Sequence, residues 1–295
     1  MAQLRPIADA WRNELYKQST QRKAEMTRLW LQMERDLDPA IAAYCYAPQD
    51  ERTSRGRALT GRLAQHLNNL IPVTERVIRQ AGINHMELGN RAGRSFLEAQ
   101  GMPIQQRPGE PVFDEDNWRE SLGKAKDLAI AGALAAMLRA GTGIADIRRI
   151  QAGISKGLSQ MLMIGRDYPV FEFRASIARY ETTGKWVRLS ARAPTTCMAC
   201  IMLDGTILEN ASDFADHPHG LCYIVPLKGS TWEGETGEEW FLGLTPDEQK
   251  GLMGEEYYEA WLVGEFDLDD LLLLVAAGYV IVRSLRDLRE GEDEN

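Results

Sequence analysis

Apolar residues recur at helical spacing through most of the chain before residue 185. Leucines stand at every third or fourth position from Leu59 to Leu70, and tryptophan, leucine and methionine recur in a similar way over 6–36. Side chains at these intervals share one face of an α-helix and normally form a buried core. A helix break is expected at Asp38 and Pro39, because proline ends most helices. Further helices are expected over 118–140, 144–165 and 168–183.

The pattern changes after residue 185. Lys185–Ala191 alternates between apolar and polar residues, which predicts the first strand of a small β-module. Leu203–Ile207 has the composition of a turn between two short strands. A helix is expected to begin after Thr245, where a threonine cap is followed by proline and two acids. A last helix over 266–277 and a strand over 279–285 complete a predominantly helical α+β protein.

The clearest linker is Gly101–Pro111, which contains three prolines and two glycines. We therefore predict three consecutive regions. The first, 1–107, is a helical N-terminal region, and the second, 108–185, is a helical middle region. The third, 186–295, holds a β-hairpin module rich in cysteine and histidine, C-terminal helices and an acidic tail.

Charge is distributed unevenly along the chain, whose net charge is −9. Residues 191–295 carry 6 Lys+Arg against 22 Asp+Glu, whereas residues 1–107 carry 16 against 11. DNA phosphates would repel the acidic third, so any contact with DNA is expected through the N-terminal region. The longest apolar run, Leu271–Val282, is too short to span a bilayer, and no membrane partner is expected.

Most of the cysteines and half of the histidines fall in one short window. The chain has four of each, and three cysteines and two histidines lie between Cys197 and Cys222. Cys197 and Cys200, in a C-x2-C pair, place two thiolates on one turn. Cys222 and a histidine, His217 or alternatively His219, would complete a tetrahedral zinc site. A bound zinc would supply stability that a small hairpin lacks.

Three other interpretations of the segment from Cys197 to Cys222 remain open. Cys197 and Cys200 are close enough in sequence for a disulfide, although nothing in the sequence indicates an oxidising compartment. The cysteines are also compatible with ordinary buried thiols, which behave as small apolar side chains. A catalytic Cys–His pair would need an orienting Asp or Asn, and none is identifiable. Residue types and spacing favour a structural metal first, then buried thiols, then catalysis.

The same ordered run resembles the signature of the phage minor head, or head morphogenesis, proteins typified by the Mu F protein. The resemblance covers about residues 140–260, and Gly220 and Leu221 depart from it where cysteine and arginine are usual. The matching residues are Trp186, Cys197, Cys200, Asp204, Gly205, His217, Pro218, Cys222 and Pro226.

The resemblance implies a structural role rather than an enzymatic one. It implies a minor virion protein that acts in head morphogenesis and contacts the portal or the major capsid protein at the inner capsid surface. Packaged DNA is a further expected partner, through the N-terminal region, and no small-molecule substrate is expected. The implied location is the virion head, and the host cytoplasm during assembly.

Two alternatives come from other functional classes. Some phage proteins of this kind resemble or are fused to ADP-ribosyltransferase-like modules, for which the candidate catalytic acids here would be Glu233, Glu235, Glu238 and Glu239. Such acids are common on solvated surfaces, and no nicotinamide-binding pattern accompanies them. The second alternative is a zinc-bearing nucleic-acid-binding module. The acids around the cysteine window disfavour it, because they would repel phosphate.

Overall fold

The structure is a computed structural model that describes residues 4–106, 115–141, 143–180, 182, 184–217, 220–274 and 280–290 of the chain. Most of these residues are helical, and short antiparallel strands among them form two small sheets. The predicted fold class, a predominantly helical α+β protein whose β-module carries a Cys/His cluster, is therefore confirmed.

Long helices dominate the described part of the chain before residue 180. They are α1 (Leu4–Cys45), α2 (Arg52–Ala99), α3 (Glu115–Leu138) and α4 (Ile144–Ala178). α1, α2 and α4 each continue through a proline, at Pro39, Pro72 and Pro169. The breaks predicted at Pro39 and between 165 and 168 are therefore wrong. Leu37 and Ile41, on either side of Pro39, are both buried, and their burial offsets the roughly 3 kcal/mol cost of an interior proline.

Shorter elements follow. They are β1 (Trp186–Leu189), α5 (Met198–Met202), β2 (Ile207–Leu208), β3 (Tyr223–Pro226), α6 (Gly237–Leu242), α7 (Pro246–Met253), α8 (Glu255–Leu262), β4 (Leu272–Leu274), β5 (Val280–Val282) and α9 (Leu285–Glu290). The strand predicted over 185–191, the helix start after Thr245 and the strand predicted over 279–285 are confirmed by β1, α7 and β5.

Two predictions in this part of the chain are wrong. Residues 203–207 do not join two strands, because the helix α5 precedes them. The helix predicted over 266–277 is replaced, in its described part, by a 3-10 turn over 268–271 and the strand β4, which pairs with β5. A continuous run of leucines carries no period, so the sequence could not distinguish a strand from a helix there.

The chain divides into two compact units, and each unit is formed by ranges that are not contiguous in sequence. One contains Gln18–Asn84 and Val112–Pro169, and the other contains Met1–Lys17, His85–Pro111 and Val170–Asn295. The sequence predicted three consecutive regions, and the predicted linker at 101–111 lies partly outside the described residues.

The unit of residues 18–84 and 112–169 has an all-helical core. In the predicted leucine stripe of α2, Leu59, Leu63 and Leu67 are buried and Leu70 is half-buried, and Trp118 of α3 is fully buried with them. Gly132 of α3 and Gly153 of α4 face each other so closely that a Cβ on either would collide with the carbonyl of the other. These two glycines therefore permit close packing of α3 against α4.

The other unit contains the β-module. Its three-stranded antiparallel sheet has the order β2-β1-β3, with Val187 opposite both Ile207 and Val225. The ring of Tyr223 on β3 contacts Phe96 and Phe173, which belong to helices of the same unit. The sheet therefore rests on a helical layer, and its strands set the positions of the cysteine-bearing segments.

None of the helices in the described ranges has a stretch long and apolar enough to cross a membrane.

Candidate metal centre

The first two cysteines lie at the beginning of α5. Cys197 is the N-cap residue of this helix, with extended backbone angles, and its Sγ accepts a hydrogen bond from the backbone N–H of Cys200 at 3.4 Å. Thr196 closes the preceding turn, because its Oγ1 accepts from the N–H of Ala193. One helical turn separates the two thiols, so both side chains lie on the same side of α5.

His217 brings an imidazole to these thiols. Its Nε2 atom lies 3.0 Å from Sγ of Cys197 and 3.1 Å from Sγ of Cys200. The loop that carries His217 leads from β2 back to β3. Cys197, Cys200 and His217 therefore form a triad of donor atoms from two segments that are distant in sequence.

Cys222, the residue directly before β3, supplies a third thiol to the same region. Its Sγ, Sγ of Cys200 and a carboxylate oxygen of Asp216 lie within 4.8 Å of one another. This second triad shares Cys200 with the first, so Cys197, Cys200, His217, Asp216 and Cys222 lie close enough to bind a metal ion. The alternative ligand, His219, and its neighbour Pro218 lie outside the described residues.

The carboxylate of Asp216 is bound by two arginines. Arg174 of α4 donates to it from Nη2, and Arg188 of β1 donates from Nη2 at 3.3 Å. Both guanidinium groups also lie over the ring of Phe214, at 5.3 and 5.1 Å from its centre. The Asp216 side chain is 2% exposed, and its buried negative charge is compensated by this pair.

The arginines also contact the cysteine segments directly. Nη2 of Arg188 lies 3.6 Å from Sγ of Cys200. Arg174 donates to the carbonyl oxygens of Gly220 and Cys222, at 2.9 and 2.5 Å. Arg174 thereby joins Asp216 to Gly220 and Cys222, and Arg188 places positive charge beside the sulfur of Cys200.

Glycine at position 220 has a structural reason. A Cβ at this position would collide with the carboxylate of Asp216. Leu221 is buried in the apolar cluster of the sheet, where an unpaired arginine would be costly. Both residues therefore fit the way this chain packs around Asp216 and the sheet.

The thiols of α5 differ in acidity. The hydrogen bond from the Cys200 thiol, helped by His217, lowers the pKa of Cys197 to about 4 against the opposing effect of burial. The same contact, the thiol of Cys222 and burial raise the pKa of Cys200. Burial opposes the charge of Arg188, but the two buried thiols and Asp216 raise its pKa overall.

Asp204 of the Asp-Gly pair forms a second buried polar cluster. Its Oδ1 accepts from the N–H of Ser190 at 2.9 Å and from Nη2 of Arg12 at 3.1 Å, and its Oδ2 accepts from Nε of Arg192 at 2.6 Å. Gly205 follows with φ of +95°, a conformation that glycine adopts without strain. These signature residues therefore hold the module together rather than reach the sulfurs.

Two of the acids considered for an enzymatic site have structural partners. Glu235 accepts from Arg5 at 2.8 Å and from Arg192 at 2.6 Å. Glu239 caps α6 in a reciprocal pair of hydrogen bonds with Thr236. These contacts explain structurally why positions 235 and 239 carry acidic residues.

The sequence indicated the donor residues but not the groups that orient them. Arg174, Arg188 and Asp216 were visible only as charged residues, and the one available signal was the aspartate directly before His217. All four cysteines of the chain are free thiols, so Cys197 and Cys200 are not joined to each other. Thiols and an imidazole at this spacing suit a soft divalent metal.

Comparisons with protein-family models, with curated proteins and with solved structures gave no match for this chain.

Proposed function

We propose that this chain is a structural minor virion protein of a tailed phage or prophage that acts in head morphogenesis, and that its β-module is held together by zinc. One observation carries the proposal. Donor atoms of Cys197, Cys200 and His217 lie together, and Cys200 also lies beside Cys222, although these residues come from three separate segments.

Zinc suits the donor set better than other metals. Cys197, Cys200, Cys222 and His217 supply three thiols and one imidazole, a ligand set found in structural zinc sites. Four protein ligands leave no open position for water or substrate, so the site would be structural rather than catalytic. Asp216 is already bound by two arginines. It therefore serves as an outer partner that orients the ligand segments.

Zinc would join the start of α5, the loop before β3 and Cys222, the residue directly before that strand. In small modules the free energy of zinc binding contributes directly to folding. The region between β2 and β3 contains little regular structure, apart from one 3-10 turn, in its described residues. A metal there would convert loosely connected segments into a rigid surface for protein contacts.

The proposed partners are the portal protein, the major capsid protein, or both, within the virion head. Packaged DNA is a further proposed partner of the N-terminal region, where basic residues outnumber acidic ones. The acidic C-terminal third would face protein instead, because phosphate groups would be repelled.

The test is crosslinking in intact particles of the virus or prophage that encodes the chain. We expect the protein in the head fraction, crosslinked to portal or capsid protein. A complementation assay adds a matched pair: Cys200→Ser removes a ligand, whereas Cys45→Ser alters a thiol buried in the other unit. Head assembly should fail with the first and proceed with the second. Absence of the protein from heads, or crosslinks only to proteins outside portal and capsid, would contradict the proposal.

A further inference from the structure

The β-module has an apolar cavity on the side of α6 and α7. It has a volume of about 390 Å³. Its apolar walls are the half-buried side chains of Trp240, Leu244 and Leu252 together with Pro194. Gly251 forms part of the wall, and a Cβ placed on it would meet no atom within 4 Å. The cavity is therefore large enough for one or two apolar side chains of another molecule.

One wall of the cavity includes Arg192, whose positive charge is compensated by two acidic residues. Arg192 donates from Nε to Asp204 at 2.6 Å, and from Nη1 and Nη2 to Glu235 at 2.6 and 2.7 Å. Its guanidinium group lies 5.6 Å from the centre of the Trp240 ring. Because two acids neutralise this arginine, it does not offer a free positive charge to a ligand.

The rim carries a carboxylate in a fixed position. Oε2 of Glu248 accepts from the N–H of Thr245 at 2.9 Å and from its Oγ1 at 2.7 Å. These hydrogen bonds lower the pKa of Glu248, so the group is charged at neutral pH. The side chain is exposed and lines the cavity. It would therefore attract a cation that approaches the opening.

The surrounding surface has the same sign of charge. The first turns of the neighbouring helices α6, α7 and α8 each carry two acidic residues. These side chains are exposed to solvent. This surface complements a basic partner and disfavours nucleic acid, whose phosphates it would repel.

We infer that this cavity is a docking site for a basic segment of a partner protein, in which an apolar side chain enters the cavity and a neighbouring lysine or arginine pairs with Glu248. An apolar anchor beside a complementary charge is a common arrangement at protein interfaces. The inference rests on the proposed function only in naming the partner as a virion protein. The chemistry of the site stands on the cavity and its charges.

Binding can be measured with the purified full chain and a fluorescent synthetic peptide that carries adjacent leucines flanked by lysines. We expect saturable binding by anisotropy, with binding at least about tenfold weaker for a twin peptide in which glutamates replace the lysines. Gly251→Trp fills the cavity and should weaken binding by more than about tenfold. Its circular dichroism spectrum and metal content, unchanged from the wild type, would establish that it folds.

A matched pair of variants isolates the charge. Glu248→Gln keeps a side chain that can still cap α7 and should weaken binding of the lysine peptide by about two- to fivefold. Glu239→Gln makes the same change in the corresponding cap of α6, which does not line the cavity, and should weaken binding by less than about twofold, clearly less than Glu248→Gln. Lack of saturable binding, equal binding of both peptides, or no effect of Gly251→Trp would overturn the inference. None of these measurements depends on a viral particle, so the outcome is separate from the test of head assembly.

Discussion

His217 and Cys200 are 17 residues apart in the chain, yet Nε2 of the histidine lies 3.1 Å from Sγ of the cysteine. The sheet creates this proximity. β1 leads into α5 on one side and pairs along its full length with β3 on the other, and the loop bearing the histidine ends at that strand. The contact places an imidazole and a thiol within reach of a single metal ion. Such an ion would join α5 to the loop before β3.

The buried pair of Arg12 and Asp204 should be essential for stability. Asp204→Asn would leave Arg12, which is 4% exposed, with one compensating charge fewer. Because Arg12 would keep only the partly exposed Asp9 as an acidic partner, we expect the free energy of unfolding to fall by about 1.5–3 kcal/mol. Urea denaturation followed by circular dichroism measures this change.

Glu209→Gln provides the control for that experiment. Glu209 pairs with Lys185 at 2.6 Å, but its side chain is 70% exposed. Solvent screens such a pair, so its loss should change the unfolding free energy by less than about 1 kcal/mol. Equal effects of Asp204→Asn and Glu209→Gln would contradict the role assigned to the buried cluster.

Gly220 should control the position of Asp216. In Gly220→Ala the new Cβ would collide with the Asp216 carboxylate and displace it from Arg174 and Arg188. Since such outer partners commonly contribute 10- to 100-fold, we expect zinc affinity to fall by at least about tenfold. Competition with a chromophoric chelator gives the affinity. Gly123→Ala is the control, because a Cβ there meets nothing within 4 Å. Unchanged affinity in Gly220→Ala would contradict the role of Asp216.

The two candidate histidines can be separated by substitution. His217→Gln should abolish tight zinc binding, because Nε2 of His217 lies beside both thiols of α5. His219→Gln should retain it. Zinc titration with the same chelator compares the variants, and the reverse order of effects would assign the ligand to His219 instead.

The cysteines should differ in reactivity once zinc is removed by a chelator. Cys197 is partly exposed and its pKa is lowered to about 4, so it is a thiolate at neutral pH. Cys45 is fully buried, and burial raises its pKa. Since the thiolate is the nucleophile, iodoacetamide should modify Cys197 first and Cys45 last. Mass spectrometry of partially alkylated protein tests the order. Cys45 modified as fast as Cys197 would be the contrary result.

Local sequence signals predicted some of the fold well. The alternation over 185–191 gave β1, and the threonine cap with its following proline gave the start of α7, because both signals act within a few residues. The clustering of cysteine and histidine predicted a site whose donors the structure brings together. These features depend on side chains close in sequence.

The features that the sequence did not predict depend on tertiary packing. α5 has only five residues, and its helical state depends on burial of Met198 and Ile201 rather than on a long periodic pattern. Arg12 meets Asp204 across 192 positions of sequence, and no local signal joins residues so far apart. The same holds for Arg174, whose contact with Asp216 requires α4 and the loop before β3 to be in place.

The central claim is that Cys197, Cys200, Cys222 and His217 hold a zinc ion. Elemental analysis of the purified full chain by inductively coupled plasma mass spectrometry tests it most directly, with Cys45→Ser and Cys200→Ser measured alongside. We expect one equivalent of zinc in the wild type and in Cys45→Ser, and none in Cys200→Ser. A wild-type chain without bound metal, or a Cys200→Ser variant that retains the full equivalent, would contradict the account.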